Sequence, residues 1–96
     1  MMFMVRVEAS NFVQDSIVES GIALGNAIVE KLQSGETIIV SFVGMRGLSS
    51  SYFNPMLQSV KQNAGLGVIG RQLLFDIPSA AQQSVFNRSL DAANRT

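Results

Sequence analysis

The sequence predicts an α/β domain with a small, mostly parallel or mixed sheet of about three to four strands and three helices. Short β-branched or apolar runs alternate with longer segments in which apolar residues recur every three or four positions. The 96 residues have the length of one domain, so we expect residues 1–96 to form a single unit. Hydrophobic residues make up 47% of the chain, which is enough for a self-standing core.

The first half of the chain predicts a strand, a helix and a second strand. Met2–Val7 is a short apolar run typical of a strand, and segment 17–32 repeats apolar or small residues at helical spacing. Gly21 and Gly25 lie one helical turn apart, which predicts that this helix face closely approaches a sheet or another backbone. The nearly continuous β-branched run Thr37–Val43 predicts a central strand covered on both faces.

The second half predicts a helix, a strand and a third helix. After a turn at 44–48, serines 49–51 offer three candidate N-caps for a helix, and Pro55 is expected in its first turn. A buried strand follows, with its apolar residues at 73–77 and its expected start near Val68 or Arg71, and helical spacing then continues to Asn94. Each predicted helix is expected to bury one apolar stripe, marked in turn by Ile17, Phe53 and Phe86.

The composition excludes several kinds of chemistry. The chain has no cysteine and no histidine, which removes disulfides, thiolate nucleophiles, the usual zinc sites and imidazole catalysis. The net charge is zero, so no broad electrostatic field favours nucleic acid. No apolar run is long enough to span a bilayer, and Met1 to Val7 lacks the features of a signal peptide. We therefore expect a cytoplasmic protein with no catalytic residues, metal site or cofactor, and with no affinity for nucleic acid or membrane.

One glycine pattern could suggest nucleotide binding. Residues 65–70, GLGVIG, match the dinucleotide-binding string. That string should follow a strand and open a helix, whose amides receive the pyrophosphate, whereas here it follows a predicted helix and enters a strand. Helix termination is the preferred interpretation.

The segment 44–51 is the most informative part of the sequence. The three serines at a helix start could be plain caps, each satisfying an unpaired amide. Alternatively, they could form an anion site, because a phosphate on Ser50 or Ser51 would lie beside the positive end of the helix dipole.

Two stretches carry a family resemblance. The segment GETIIVSFVGMRGLSSSY at 35–52 and the segment LLFDIPSAAQQSVFNRSLDAA at 73–93 resemble STAS-like domains, relatives of the sulphate-transporter and anti-sigma-factor-antagonist fold. Phe42, Gly44 and the serine run match the family pattern. Ser41 stands where that pattern usually has aspartate.

The resemblance implies a regulatory protein-interaction module. Such a module would dock through the turn and helix start at 44–53, and its partner class would be a histidine-kinase-like ATPase. Ser50 and Ser51 would be the candidate phosphoacceptors. The expected partner-facing residues are Arg46, Leu48, Ser49, Tyr52 and Phe53.

Two other functions stay open. Met2–Val7 could be an exposed edge strand, guarded only by Arg6, through which an assembly protein forms homo-oligomers. A small enzyme could act through the serines and Arg46 or Arg71, but it would need a general base that the sequence does not visibly supply.

Overall fold

Three strands and three helices alternate along the chain. The structure is a computed structural model that describes residues 4–95. The strands and helices are β1 (Met4–Glu8), α1 (Ile17–Gln33), β2 (Thr37–Ser41), α2 (Ser50–Asn63), β3 (Leu73–Asp76) and α3 (Ala80–Arg95). Short 3₁₀ turns lie at Ala9–Phe12 and Leu66–Val68. The predicted α/β class, with three helices and a parallel sheet, is confirmed.

The sheet has three parallel strands in the order β1, β2, β3. Val40 of β2 lies opposite Val7 on one side and Phe75 on the other, so β2 is the central strand, as predicted. β1 is an edge strand. Met2 and Phe3 of the predicted first strand lie outside the described residues.

All three helices cover the same face of the sheet. Val7, Val40 and Leu73 on that face are buried in the core with residues of α1, α2 and α3. Ile39 and Leu74, which point to the other face, are only half-buried and do not belong to this core. The prediction that β2 is covered on both faces is therefore wrong at Ile39, whereas Ser41 on the same face is buried and accepts a hydrogen bond from Arg6. Two right-handed crossovers that run in the same direction across a sheet place both helices on one side.

The contact between α1 and α2 depends on two glycines. A Cβ on Gly21 would overlap the carbonyl oxygen of Tyr52 and would lie 3.1 Å from Cγ of Pro55. A Cβ on Gly25 would lie 2.8 Å from Cβ of Ser59. The predicted close approach is thus confirmed, and the backbone that α1 approaches is that of α2.

Aromatic rings fill the space between α2, α3 and the sheet. Phe53 is fully buried, and its ring packs edge to face against Phe42 at 5.6 Å and Phe86 at 5.3 Å between centroids. Phe86 also contacts Phe75 of β3 at 4.7 Å. Farther along α3, Lys61 Nζ donates a hydrogen bond to the carbonyl oxygen of Ala93 at 2.8 Å, which connects the end of α3 to α2.

The third strand begins at Leu73 rather than near Val68 or Arg71, because a 3₁₀ turn occupies Leu66–Val68.

Three other local predictions need correction. β2 ends at Ser41, although the Phe42 amide still donates to the Asp76 carbonyl at 2.9 Å. Pro55 is the sixth residue of α2, in its second turn, because the helix already begins at Ser50. Ile17 is 51% exposed, because it is the first residue of α1 and precedes the buried part of the stripe.

Candidate functional site

The carboxyl ends of the parallel strands meet at one edge of the sheet, where ligands and partners commonly bind in α/β folds. The turn after β2 lies at this edge and begins at Gly44 (φ 81°), with Gly47 also at positive φ (68°). Few residues other than glycine adopt these positive φ angles without strain. The Met45 amide donates to the Phe42 carbonyl at 3.0 Å, and Gln82 Nε2 of α3 donates to the Met45 carbonyl at 3.4 Å. The turn is therefore held from both sides.

Part of the predicted site is accessible. Ser50 and Ser51 are exposed at the start of α2, Arg46 is exposed in the turn, and Ser49 is half-buried. Arg46 forms no ion pair with any residue in the range 4–95. These four residues are therefore placed where a ligand or a partner can reach them.

The other predicted partner-facing residues are not accessible. Leu48 is 6% exposed, Tyr52 is 3% exposed and Phe53 is fully buried, so all three belong to the core. Tyr52 and Phe53 are the third and fourth residues of α2, and this phase of the helix directs them toward the sheet. Their assignment to the partner-facing surface is corrected here.

The start of α2 has unpaired backbone donors. Ser49 is the N-cap, but its side chain makes no capping hydrogen bond, and its carbonyl accepts from the amides of Tyr52 and Phe53 at 3.0 Å each. At the start of α1, by contrast, Ser16 Oγ accepts from the Glu19 amide at 3.0 Å. The plain-cap interpretation of the serine run is therefore not supported by Ser49, and donors at this helix start are available to an anion.

Exposed apolar side chains surround the same edge. Three of the six large hydrophobic residues exposed among the described residues, Val13, Ile17 and Val43, lie in or next to the connections that follow β1 and β2. Val18 and Ile22 follow in the first two turns of α1, and Met4 lies on β1. Val13, Ile17 and Arg46 also line a cavity of about 520 Å³ between the two strand-to-helix connections. We call Val13, Ile17, Val43 and Arg46 the edge surface.

The Tyr52 hydroxyl is buried in this region without a hydrogen-bond partner among the described residues. Tyr52 also lines the cavity beneath the edge surface, and its ring packs edge to face against Phe42 at 6.1 Å. Burial raises the pKa of Tyr52 from 10.0 to about 12, because the phenolate would lose its hydration.

We expect Tyr52→Phe to raise the free energy of unfolding at pH 7 by about 1 kcal/mol, because it removes an unpaired buried hydroxyl and keeps the ring. In the wild type, the unfolded chain ionises Tyr52 near pH 10 and the folded chain near pH 12. Stability should therefore fall by about 2–3 kcal/mol across that interval in the wild type only. Urea denaturation at pH 8 and at pH 11.5 measures both effects. If the wild type and Tyr52→Phe lost the same free energy of unfolding between the two pH values, the raised pKa could not belong to Tyr52.

A second groove lies between the start of α2 and one face of α3. From α2 it is lined by Ser50 and Asn54, and Arg88 of α3 provides the one charged side chain among its lining residues. Ser89 also lines the groove; it is 5% exposed, and its hydroxyl forms no hydrogen bond within the described part of the chain. Neither Arg88 nor Ser89 stands out in the sequence, since α3 has only an ordinary amphipathic pattern.

Two other features concern the described residues as a whole. No group of three or more carboxylate side chains is placed to hold a metal ion within residues 4–95. None of the helices found there combines the length and apolar character needed to cross a lipid bilayer. Comparison with protein-family models, curated proteins and solved structures finds no match to this chain.

Proposed function

We propose that this protein is a non-enzymatic regulatory module that binds a protein partner through the edge surface. The observation that carries the proposal is the group of exposed apolar side chains at the carboxyl edge of the sheet, next to an arginine that forms no ion pair with any residue in the range 4–95. Apolar residues clustered on the surface of a small domain are typical of interaction sites. Arg46 would favour a partner segment that combines an apolar side chain with a carboxylate.

The accessible serines add a possible switch to this proposal. Ser50 and Ser51 are exposed beside the turn, and a phosphate there would add about two negative charges near the positive end of α2. Neither hydroxyl is hydrogen-bonded to a described carboxylate that could serve as a general base, which favours modification of these serines over catalysis by them. The family resemblance suggests a histidine-kinase-like ATPase as the partner that would supply the phosphate.

Calorimetry with a histidine-kinase-like ATPase from the same genome tests the proposal. We expect Val43→Glu and Arg46→Glu each to weaken binding by at least about tenfold, because one inserts a charge among apolar contacts and the other reverses the favourable charge. Ser51→Asp should change the affinity, whereas Ser51→Ala should leave it close to the wild-type value.

Arg71→Glu is the matched control, since Arg71 is exposed but lies in the connection before β3, at the opposite end of the sheet. It should bind the partner as the wild type does. If the wild type, Val43→Glu and Arg46→Glu bound the partner with equal affinity, the edge surface would not be the binding site. Equal affinities for the two Ser51 variants would remove the switch at that residue.

Homo-oligomerisation through β1 is the second candidate function. β1 is an edge strand, and Met4 on it is 58% exposed. Arg6 gives the edge little protection, because its guanidinium donates to Ser41 Oγ at 2.9 Å and pairs with Glu8 across the open face of the sheet. Light scattering distinguishes the two functions. Self-association that Met4→Lys abolishes and Val43→Glu preserves would favour assembly through this strand.

A further inference from the structure

We propose that the groove between the start of α2 and α3 binds a phosphate group. The groove residues that carry this proposal are Ser50, Arg88 and Ser89, with the backbone amides that open α2. The inference rests on the anion site in the proposed function and deepens it, because it identifies the chemical class of the ligand and the residues of α3 that receive it. It does not require the edge surface or a protein partner.

The positive end of α2 supplies the first part of the site. The amides of Ser50 and Ser51 are at the helix start, and no hydrogen bond within the described chain satisfies them. The Ser49 side chain does not cap the helix and therefore does not compete with an anion there. Free amides at a helix start, together with the helix dipole, favour a negatively charged group.

The Ser89 side chain is an independent indication of a ligand. Ser89 is 5% exposed, lines the groove, and forms no hydrogen bond with any other described residue. Its hydroxyl is not fully enclosed, since Tyr52 has the one fully buried unpaired side-chain oxygen among the described residues, so the Ser89 hydroxyl must find its partner in the groove. A phosphate oxygen in the groove would supply that missing acceptor.

Arg88 supplies the charge. It is exposed, lines the groove and forms no ion pair within residues 4–95. Val85, Arg88, Ser89 and Ala92 all line the groove at spacings of three and four residues, so they share one face of α3. Among the described residues, no acidic side chain lines the groove to oppose an anion. Arginine donates in a geometry that fits two phosphate oxygens at once.

The positions of Ser50 and Ser51 allow an experiment to distinguish a phosphate ester on this chain from a phosphate carried by another molecule. Ser50 lines the groove and Ser51 does not. A phosphate ester on Ser50 could therefore occupy the groove of its own chain, whereas a phosphate on Ser51 would leave it free. The alternative source is a phosphate carried by another molecule.

The experiment is an NMR titration of the full chain with inorganic phosphate at pH 7.5. We expect saturable shifts of the Ser50, Ser51 and Ser89 amides. Arg88→Gln should weaken the affinity by at least about tenfold, and Ser89→Ala should weaken it by several-fold, because each removes a donor to the phosphate. Arg46→Gln should bind phosphate as the wild type does, because Arg46 does not line the groove.

A second arm uses the protein with phosphoserine incorporated at position 50 or at position 51. Loss of inorganic phosphate binding only in the protein modified at 50 would identify the ester on Ser50 as the occupant. Retained binding in both proteins would identify a separate phosphate-bearing ligand. Shifts that do not saturate, that lie outside the groove, or that survive Arg88→Gln unchanged would overturn the inference. Arg46→Glu separates this result from the proposed function, because it should lose the partner and retain phosphate.

Discussion

Phe53→Ala is expected to lower the free energy of unfolding by about 3–5 kcal/mol. Phe53 is fully buried between α2, the sheet and α3, and truncation would leave a cavity that the surrounding rings cannot fill without moving. A domain of 96 residues has a total stability of roughly 5–15 kcal/mol, so the variant should be close to unfolding. Urea denaturation followed by circular dichroism measures the loss. The rings that contact Phe53 edge to face are those of Phe42, Tyr52 and Phe86.

Val43→Ala is the control for this prediction. Val43 lies just before the turn that connects β2 to α2, but its side chain is 51% exposed. Its truncation should therefore change the free energy of unfolding by no more than about 0.5 kcal/mol. Under the proposed function, Val43→Ala should instead weaken partner binding. A stable Phe53→Ala variant that lost partner affinity would reverse the burial assignment and place Phe53 on the interaction surface.

The two roles expected for Phe53 show which sequence arguments were reliable. Phe53, Met56, Leu57 and Val60 recur at helical spacing, and that pattern correctly predicted a buried stripe. The family resemblance placed the same residue on the partner-facing surface, together with Leu48 and Tyr52. The periodicity was the better guide, because the burial of a helical stripe follows from the free energy of removing apolar groups from water.

The burial of β2 shows what the residue pattern of a single strand cannot predict. The apolar run of β2 predicts a strand covered on both faces, but Ile39 is half-buried on the face without helices. Ile39 lies between Arg6 of β1 and Leu74 of β3 in the register of the sheet. Neighbouring strands can therefore keep an apolar residue half-buried without a second helical layer, and this depends on register that the sequence of one strand does not contain.

The phosphate groove could not have been predicted from the sequence. Ser50 and Arg88 are separated by 38 positions, from 50 to 88, and neither stands in a recognisable motif with the other. Their proximity depends on how α3 packs against α2, where Phe53 and Phe86 meet at 5.3 Å. The serine run was recognised because it is local, whereas the α3 residues that would complete the site are brought to it only by tertiary packing.

Gly21→Ala is expected to destabilise the protein by about 1–3 kcal/mol, although alanine is the better helix former by about 1 kcal/mol. The new Cβ would overlap the Tyr52 carbonyl oxygen and would also lie 3.2 Å from the carbonyl carbon. These are backbone atoms of α2, which cannot rotate away as a side chain can, so the two helices must separate. Thermal unfolding should show a decrease of roughly 5–20 °C in Tm for a domain of this size.

Gly67→Ala provides the comparison that isolates this effect. Gly67 lies in the 3₁₀ turn before β3, and an added Cβ there meets nothing within 4 Å. Its backbone is outside the positive-φ region, so alanine should be tolerated, with stability unchanged or slightly raised because the unfolded chain loses entropy. If Gly21→Ala were as stable as Gly67→Ala, α1 and α2 could not be packed as closely as the structure shows. The aromatic cluster beneath them would then need a different explanation, because Tyr52 and Phe53 are held in the core by the same backbone segment that Gly21 contacts.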